Sequence, residues 1–202
     1  MTFWHGVMSS SYPQLVHVQN KIFHRFVEGF AARAEALPMD PGIDERNKMG
    51  PPAHPKRIDA MAVLIKDAIC AGWRQCTSGE RIGNRSYYWK PTVFAGVTEA
   101  ARAMNEEPFG PLALINQIAD EDEALTRANR HAFGPAADAF TANGARARAV
   151  ADGLEDGMVG VNDFAISTPE APFGGVKENG HGSENAVEGL QVWLTTKLLS
   201  EC

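Results

Sequence analysis

Apolar positions along the chain fall into two alternating rhythms. QLVHVQ (Gln14 to Gln19) reads as a short strand, and then Ile22, Phe23, Phe26, Val27 and Phe30 recur at helical spacing. Asn20 is placed to cap that helix. A proline- and glycine-rich stretch, LPMDPGIDERNKMGPPAHP, reads as a loop. Ile58, Met61, Ala62, Ile65 and Ile69 then mark a second amphipathic helix, followed by a short strand near Trp73 to Cys76. Gly79 to Ser86 is a turn-rich connection into YYWKPTVF, a strand at least at its ends.

The rhythm continues through the second half. A short helix near Thr98 to Met104 leads through EEPFGP to the strand LALINQI. Asp120 is expected to cap a helix running through Asn129, with Ala124, Leu125 and Ala128 turned inward. AADAFTA reads as a strand, Ala145 to Leu154 as a helix, and MVGVN as another strand. A Gly/Pro-rich loop is expected from Asp163 to Ser183, and LQVWLTTKLLS closes the chain as an apolar strand. This β–α–β–α order predicts an α/β fold built on a largely parallel sheet.

Composition narrows the function classes without choosing among them. With 44% hydrophobic and 22% charged residues over 202 positions, the chain has ordinary globular composition. A net charge of -6 disfavours nucleic acid as a partner. The three cysteines, Cys70, Cys76 and Cys202, form no disulfide framework and suggest a reducing compartment. No signal-peptide pattern opens the sequence, and the longest aliphatic run, Ala60 to Ile65, is far short of a membrane span. A cytoplasmic protein with no membrane partner is the expectation.

Most motif-like features have a plain structural explanation. Gly180 and Gly182 imitate the start of a dinucleotide fingerprint, but Asn185 stands where its third glycine belongs and no strand precedes them. The six histidines lack metal-ligand spacing, so no metal is expected. There is no GxSxG elbow, and the Asn84 sequon is a pattern only. Two stretches stand out. EEPFGP (Glu106 to Pro111) is either a ligand-gathering connection or a turn with solvated acids. APFGGVKENGHGSE (Ala171 to Glu184) is either a flexible loop or a backbone that approaches something closely.

Taken together, NKMGPP, YYWKPTVF, EEPFGP, the pattern from Ala128 to Thr141, GMVGVN and APFGGVKENGHG resemble the C-terminal part of an aldehyde dehydrogenase. They occur in the family's order from about Gln14 to Leu199. The resemblance implies NAD or NADP as cofactor, a small-molecule aldehyde as substrate, and a catalytic α/β domain that follows a Rossmann-type domain. It implies that Glu107 hydrogen-bonds the nicotinamide ribose, a task for which a carboxylate has two acceptor oxygens. Phe109 matches the aromatic beside the nicotinamide and Phe173 the aromatic of the substrate tunnel, and Asn162 lies at the end of its strand in the family's usual place. Ser167 matches a serine that helps bind the distal carboxylate in members resembling succinate-semialdehyde dehydrogenase, which hints at a semialdehyde.

The match is poor at the start. The family loop F-x-N-x-G-Q-x-C aligns Phe3 with its phenylalanine and His5 with its asparagine. Val7, Met8 and Ser10 replace the glycine, the glutamine and the nucleophilic cysteine. Trp4 and Leu15 replace basic residues. A serine hydroxyl does not substitute for a thiolate without a base beside it, and Cys70 and Cys76 fall on structural positions. The expected organisation is a poorly matching remnant of the catalytic loop at 1–13, a catalytic domain at 14–187, and an oligomerisation strand with tail at 188–202. A fragment without aldehyde oxidation of its own follows. The alternative is a non-catalytic partner that associates with itself or with a full-length relative. A weaker third idea is ester hydrolysis by Ser10.

Overall fold

The computed structural model describes residues 14–41, 43–83 and 86–201. Phe3, Trp4, His5, Val7, Met8 and Ser10 lie outside the described residues, as does Cys202. The chain forms two compact units, one up to Ala124 and one from Leu125.

The first unit is an α/β sandwich. β1 (Leu15–Gln19) leads to helix α1 (Phe23–Glu35), and helix α2 (Pro55–Cys70) leads to β2 (Arg74–Gln75), β3 (Thr92–Ala95) and β4 (Leu112–Ile118). The sheet order is β1-β4-β3-β2, with β1, β4 and β3 parallel and β2 antiparallel at the edge. Strand alternation sorts the core into two faces. Val93, Ala95, Ala113 and Ile115 pack with Phe23, Val27 and Ala34 of α1. Phe94, Leu112 and Leu114 face Ile58, Met61, Leu64 and Ile65 of α2. Covered on both sides, β4 reads as a nearly unbroken apolar run. Its one buried amide, Asn116, is satisfied: its Oδ1 accepts from the Val97 backbone N–H at 2.7 Å.

Several elements differ from the sequence reading. Asn20 does not cap α1; the N-cap is Ile22 with no side-chain bond, and the Asn20 N–H instead extends the β1–β4 ladder to the Ile118 carbonyl at 2.9 Å. On α2 the buried stripe runs through Ile58, Met61, Leu64, Ile65 and Ala68, leaving Ala62 and Ile69 outside. Those two lie about 100° further round the helix. The expected helix at Thr98 to Met104 is only a 3-10 turn, Arg102–Met104. Of YYWKPTVF only the last three residues, Thr92 to Phe94, lie in a strand, with Trp89 making an isolated bridge to Arg81.

Helix α3 (Glu121–Asn129) spans the boundary between the units. It starts as foreseen: the Glu123 N–H donates to Asp120 Oδ1 at 3.0 Å, and Glu123 Oε2 accepts from the Ala119 N–H at 2.7 Å. This reciprocal arrangement satisfies donors that a helix start leaves open. Ala124, Leu125 and Ala128 are half-buried rather than fully inward.

The second unit contains β5 (Phe133–Gly134), β6 (Ala136–Ala139), helix α4 (Gly144–Gly153), β7 (Met158–Val161), β8 (Val176–Lys177) and helix α5 (Ala186–Gln191). β6 and β7 are parallel, with α4 as their crossover, and β5 pairs antiparallel with β8. The segment expected as a plain loop from Asp163 to Ser183 therefore carries a strand. The LQVWLTTKLLS tail corrects the expectation of a strand: it is helical through Gln191, and 192–201 form none. A strand is held by its ladder, and among the described residues nothing pairs with this segment.

Candidate functional site

EEPFGP enters β4 at its first residue, Leu112, whose partner on β3 is Thr92. The stretch thus sits at the amino ends of the parallel strands, whereas open α/β sheets gather ligands at carboxyl ends. Its position in the sheet topology does not make it a site. What does is the way it packs against α2.

Gly110 lies so close to α2 that a Cβ there would stand 2.5 Å from the Met61 sulfur, itself fully buried. Only glycine allows the loop to press down at this point. The preceding residue, Phe109, takes a φ of 43°, a left-handed conformation that costs a bulky residue about 1 kcal/mol or more. This turn sets the Phe109 ring beside Arg57 of α2, with the guanidinium carbon 5.3 Å from the ring centroid. Arg57 and Phe109, with Ala53 and His54, line a pocket of about 160 Å³.

His54 frames this corner from the helix start. It is the N-cap of α2, and its Nδ1 accepts from the Lys56 N–H at 3.1 Å. Pro55 follows at the first helical position, where its missing N–H costs nothing.

The two acids of the motif have different fates. Glu106 is taken by Arg102 through Nε and Nη2, at 2.8 and 2.9 Å, which holds its carboxyl below the usual range. No side chain among the described residues hydrogen-bonds Glu107. Its carboxyl stays accessible to solvent, yet partial desolvation pushes its pKa up, and the positive charge of Arg57 pulls it back. A solvent-facing carboxylate, an aromatic face and a cation meet in one place. That set suits a ligand with paired hydroxyls and a flat ring.

The residues singled out in the second unit serve differently. Asn162, with φ 57°, donates from Nδ2 to the Thr141 carbonyl at 3.0 Å and accepts the Thr141 N–H on Oδ1 at 2.9 Å. It acts as an extra rung beyond the β6–β7 ladder. Phe173 is half-buried and bridged to Glu184 by backbone bonds of 2.8 and 2.7 Å. Ser167 is exposed in the irregular segment before it.

Close approach by glycine also shapes the second stretch. A Cβ on Gly174 would stand 2.6 Å from the Gly182 carbonyl, and one on Gly175 would meet Asn179. Here the flexible-loop alternative gives way to close backbone packing. Lys177 ties it down, donating to the Asn129 and His131 carbonyls at 2.9 and 3.2 Å and pairing with Glu155 at 3.0 Å.

Sequence reasoning missed Arg57 and Asp138. Arg57 lies 52 positions before Phe109, and nothing local marks the pairing; the only signal is a basic HPKR start to α2. Asp138 is half-buried on β6, and burial, with Asp163 adding repulsion, pushes its carboxyl to about 6. Of the two cysteines on structural positions, Cys70 is exposed at the end of α2, and burial raises the half-buried Cys76 thiol. Among the described residues, no group of three or more His, Cys, Asp or Glu is arranged to hold a metal, and no helix is long and apolar enough to cross a membrane.

Comparison with known proteins agrees with this architecture. The model of the aldehyde dehydrogenase family matches residues 7–199. The 4-(hydroxymethyl)benzenesulfonate dehydrogenase of Comamonas testosteroni is 37% identical over 187 residues, 93% of this chain and 39% of that protein. The Probable succinate-semialdehyde dehydrogenase (NADP(+)) of Sinorhizobium fredii is 35% identical over 184 residues, 91% of this chain and 38% of that protein. Betaine aldehyde dehydrogenase of Staphylococcus aureus, solved in complex with NAD+, superposes with a TM-score of 0.92 at 28% identity, over 97% of this chain and 41% of that one. The chain therefore spans about two-fifths of the length of the relatives it matches.

Proposed function

The chain belongs to the aldehyde dehydrogenase family, and from that premise we propose that it contributes the nicotinamide-facing part of an NAD(P)-dependent aldehyde oxidation. The observation that carries this reading is the corner formed by Glu107, Phe109 and Arg57. The residues fit the cofactor: Glu107 has unclaimed acceptor oxygens for ribose hydroxyls, and Phe109 offers an aromatic face next to it. When bound, NAD(P) supplies the hydride acceptor. The protein's part is to orient the ribose through Glu107 and to shield one side of the ring with Phe109.

Ser167 and Phe173 are assigned to the aldehyde. An exposed hydroxyl at Ser167 suits the distal anion of a semialdehyde, a choice supported by the succinate-semialdehyde relative. Oxidation also needs a nucleophile. With serine at position 10, the 202-residue chain alone is expected to bind cofactor weakly and to turn over no aldehyde.

Tryptophan-fluorescence titration with NAD+ and NADP+ tests the assignment. Saturable quenching that Glu107→Gln weakens at least fivefold is the expected result. Equal affinity in the two proteins would remove Glu107 from the site. NADH formation by the purified chain with succinate semialdehyde would overturn the expected inactivity.

A second reading, association through the tail, is favoured by one feature. Trp193 is 83% exposed and Leu198 91%, within a run that also exposes Val192, Leu194 and Leu199. Apolar surface left open in this way favours contact with another chain, a second copy or a full-length relative. Light scattering should show a larger species for the full chain than for a variant ending at Gln191. Equal monomeric masses, with no co-purifying relative, would end this reading.

A further inference from the structure

We propose that Arg57 is the positioning residue of the cofactor corner: its guanidinium, lying over the Phe109 ring, holds that ring in place and sets a positive charge beside the loop that carries Glu107. The inference rests on the ribose-binding reading of Glu107, but it concerns a residue that no motif marks.

The geometry leaves Arg57 available for this work. Its side chain is half-buried at the first turn of α2, and no carboxylate among the described residues lies within ion-pair distance of it. By contrast, Arg102, the arginine nearest EEPFGP in sequence, is already committed to Glu106. The Arg57 guanidinium instead lies over the Phe109 ring at 5.3 Å, a distance at which a cation is attracted to the aromatic face. Phe109 needs such a restraint, because its left-handed backbone is a conformation that a bulky residue leaves readily.

Glu107 is two residues away on the same loop and is the carboxyl that feels the Arg57 charge. Crowding by its neighbours favours the protonated form of Glu107, and the nearby cation opposes it. A protonated carboxyl would present one donor and lose half of its acceptor capacity. The ribose contact needs two acceptors. The cation therefore extends to lower pH the range in which the contact is available.

Selective 13C labelling of glutamate side chains, with Glu107→Gln used for assignment, gives the Glu107 titration midpoint in the full chain without any cofactor. Arg57→Gln should raise that midpoint by half a pH unit or more, and Arg57→Lys should bring it back. The Phe109 ring resonances should move in Arg57→Gln and be only partly restored by lysine, because a planar guanidinium stacks better than an ammonium. In the unaltered chain, raising salt from 20 to 500 mM should lift the Glu107 midpoint by screening the cation, a readout that needs no substitution. A midpoint that neither salt nor Arg57→Gln moves would overturn the proposal. NAD+ titration is separate: no binding with a coupled Glu107 midpoint removes the ribose reading, while binding with an uncoupled midpoint removes Arg57's role.

Discussion

Asn162 and Thr141 grip each other through both atoms of the asparagine amide, at 3.0 and 2.9 Å, just beyond the last pair of the β6–β7 ladder. The side chain copies a strand backbone where the chain itself has turned away into a left-handed residue. The asparagine at this strand end is thereby explained by its local bonding.

Asn162→Ala should destabilise the chain by about 2 kcal/mol, from two hydrogen bonds of about 1 kcal/mol each in a solvent-accessible setting, with added left-handed strain. Asn162→Gly removes the strain and should recover about 0.5 kcal/mol of that loss. Urea denaturation of the three proteins reads both numbers, and equal midpoints for all three would refute the argument.

Gly110→Ala should lower stability by about 1–3 kcal/mol, because the new methyl meets the buried Met61 sulfur. The same substitution should lift the loop bearing Glu107 and Phe109 and shift the Phe109 ring resonances. A thermal melt together with the aromatic spectrum checks both effects. An unchanged melting temperature would mean that the loop has slack that the structure does not show.

Asp138 gives a pH dependence with a definite sign. Its folded-state carboxyl titrates at about 6 against 3.8 for the free group. Below pH 3.8 both states keep the proton and this residue costs nothing. As pH rises toward 6 the unfolded chain ionises freely while the folded chain resists, so stability falls and then levels off. The full shift corresponds to about 3 kcal/mol, and partial solvent access reduces this to about 1–2 kcal/mol. Asp138→Asn should flatten the curve between pH 4 and 6 and stabilise the chain at pH 7. Urea midpoints measured across that range decide it.

The thiols should react unequally. Cys70 is exposed, whereas Cys76 is half-buried, donates to the Arg74 carbonyl at 3.5 Å and has a raised pKa. Peptide mapping after brief alkylation at pH 7.5 should find Cys70 modified at least several-fold faster than Cys76, since the thiolate is the reacting form. Equal rates would show that the edge strand opens readily.

Local signals in the chain were enough for much of the fold. The apolar stretch LALINQI marked a strand, and Asp120 marked a helix start whose capping bond is present. Each signal depends on neighbours within four residues, so it survives in any context. The tail failed the same test: LQVWLTTKLLS carries strand-like residues, but a strand exists only with a partner, and composition does not name one.

The site divides along the same line. Sequence alone picked out Glu107, Phe109, Ser167 and Phe173, because motif order and spacing carry family resemblance. It also showed that EEPFGP contains two acids, without saying which is free. Tertiary structure decided that: Arg102 claims Glu106, Gly110 lets the loop settle onto Met61, and Arg57 arrives over Phe109 from a helix far away in the chain. Charge and packing act through space, so Arg57, 50 positions before Glu107 in the chain, brings its charge to bear on a carboxyl that the sequence around it does not single out.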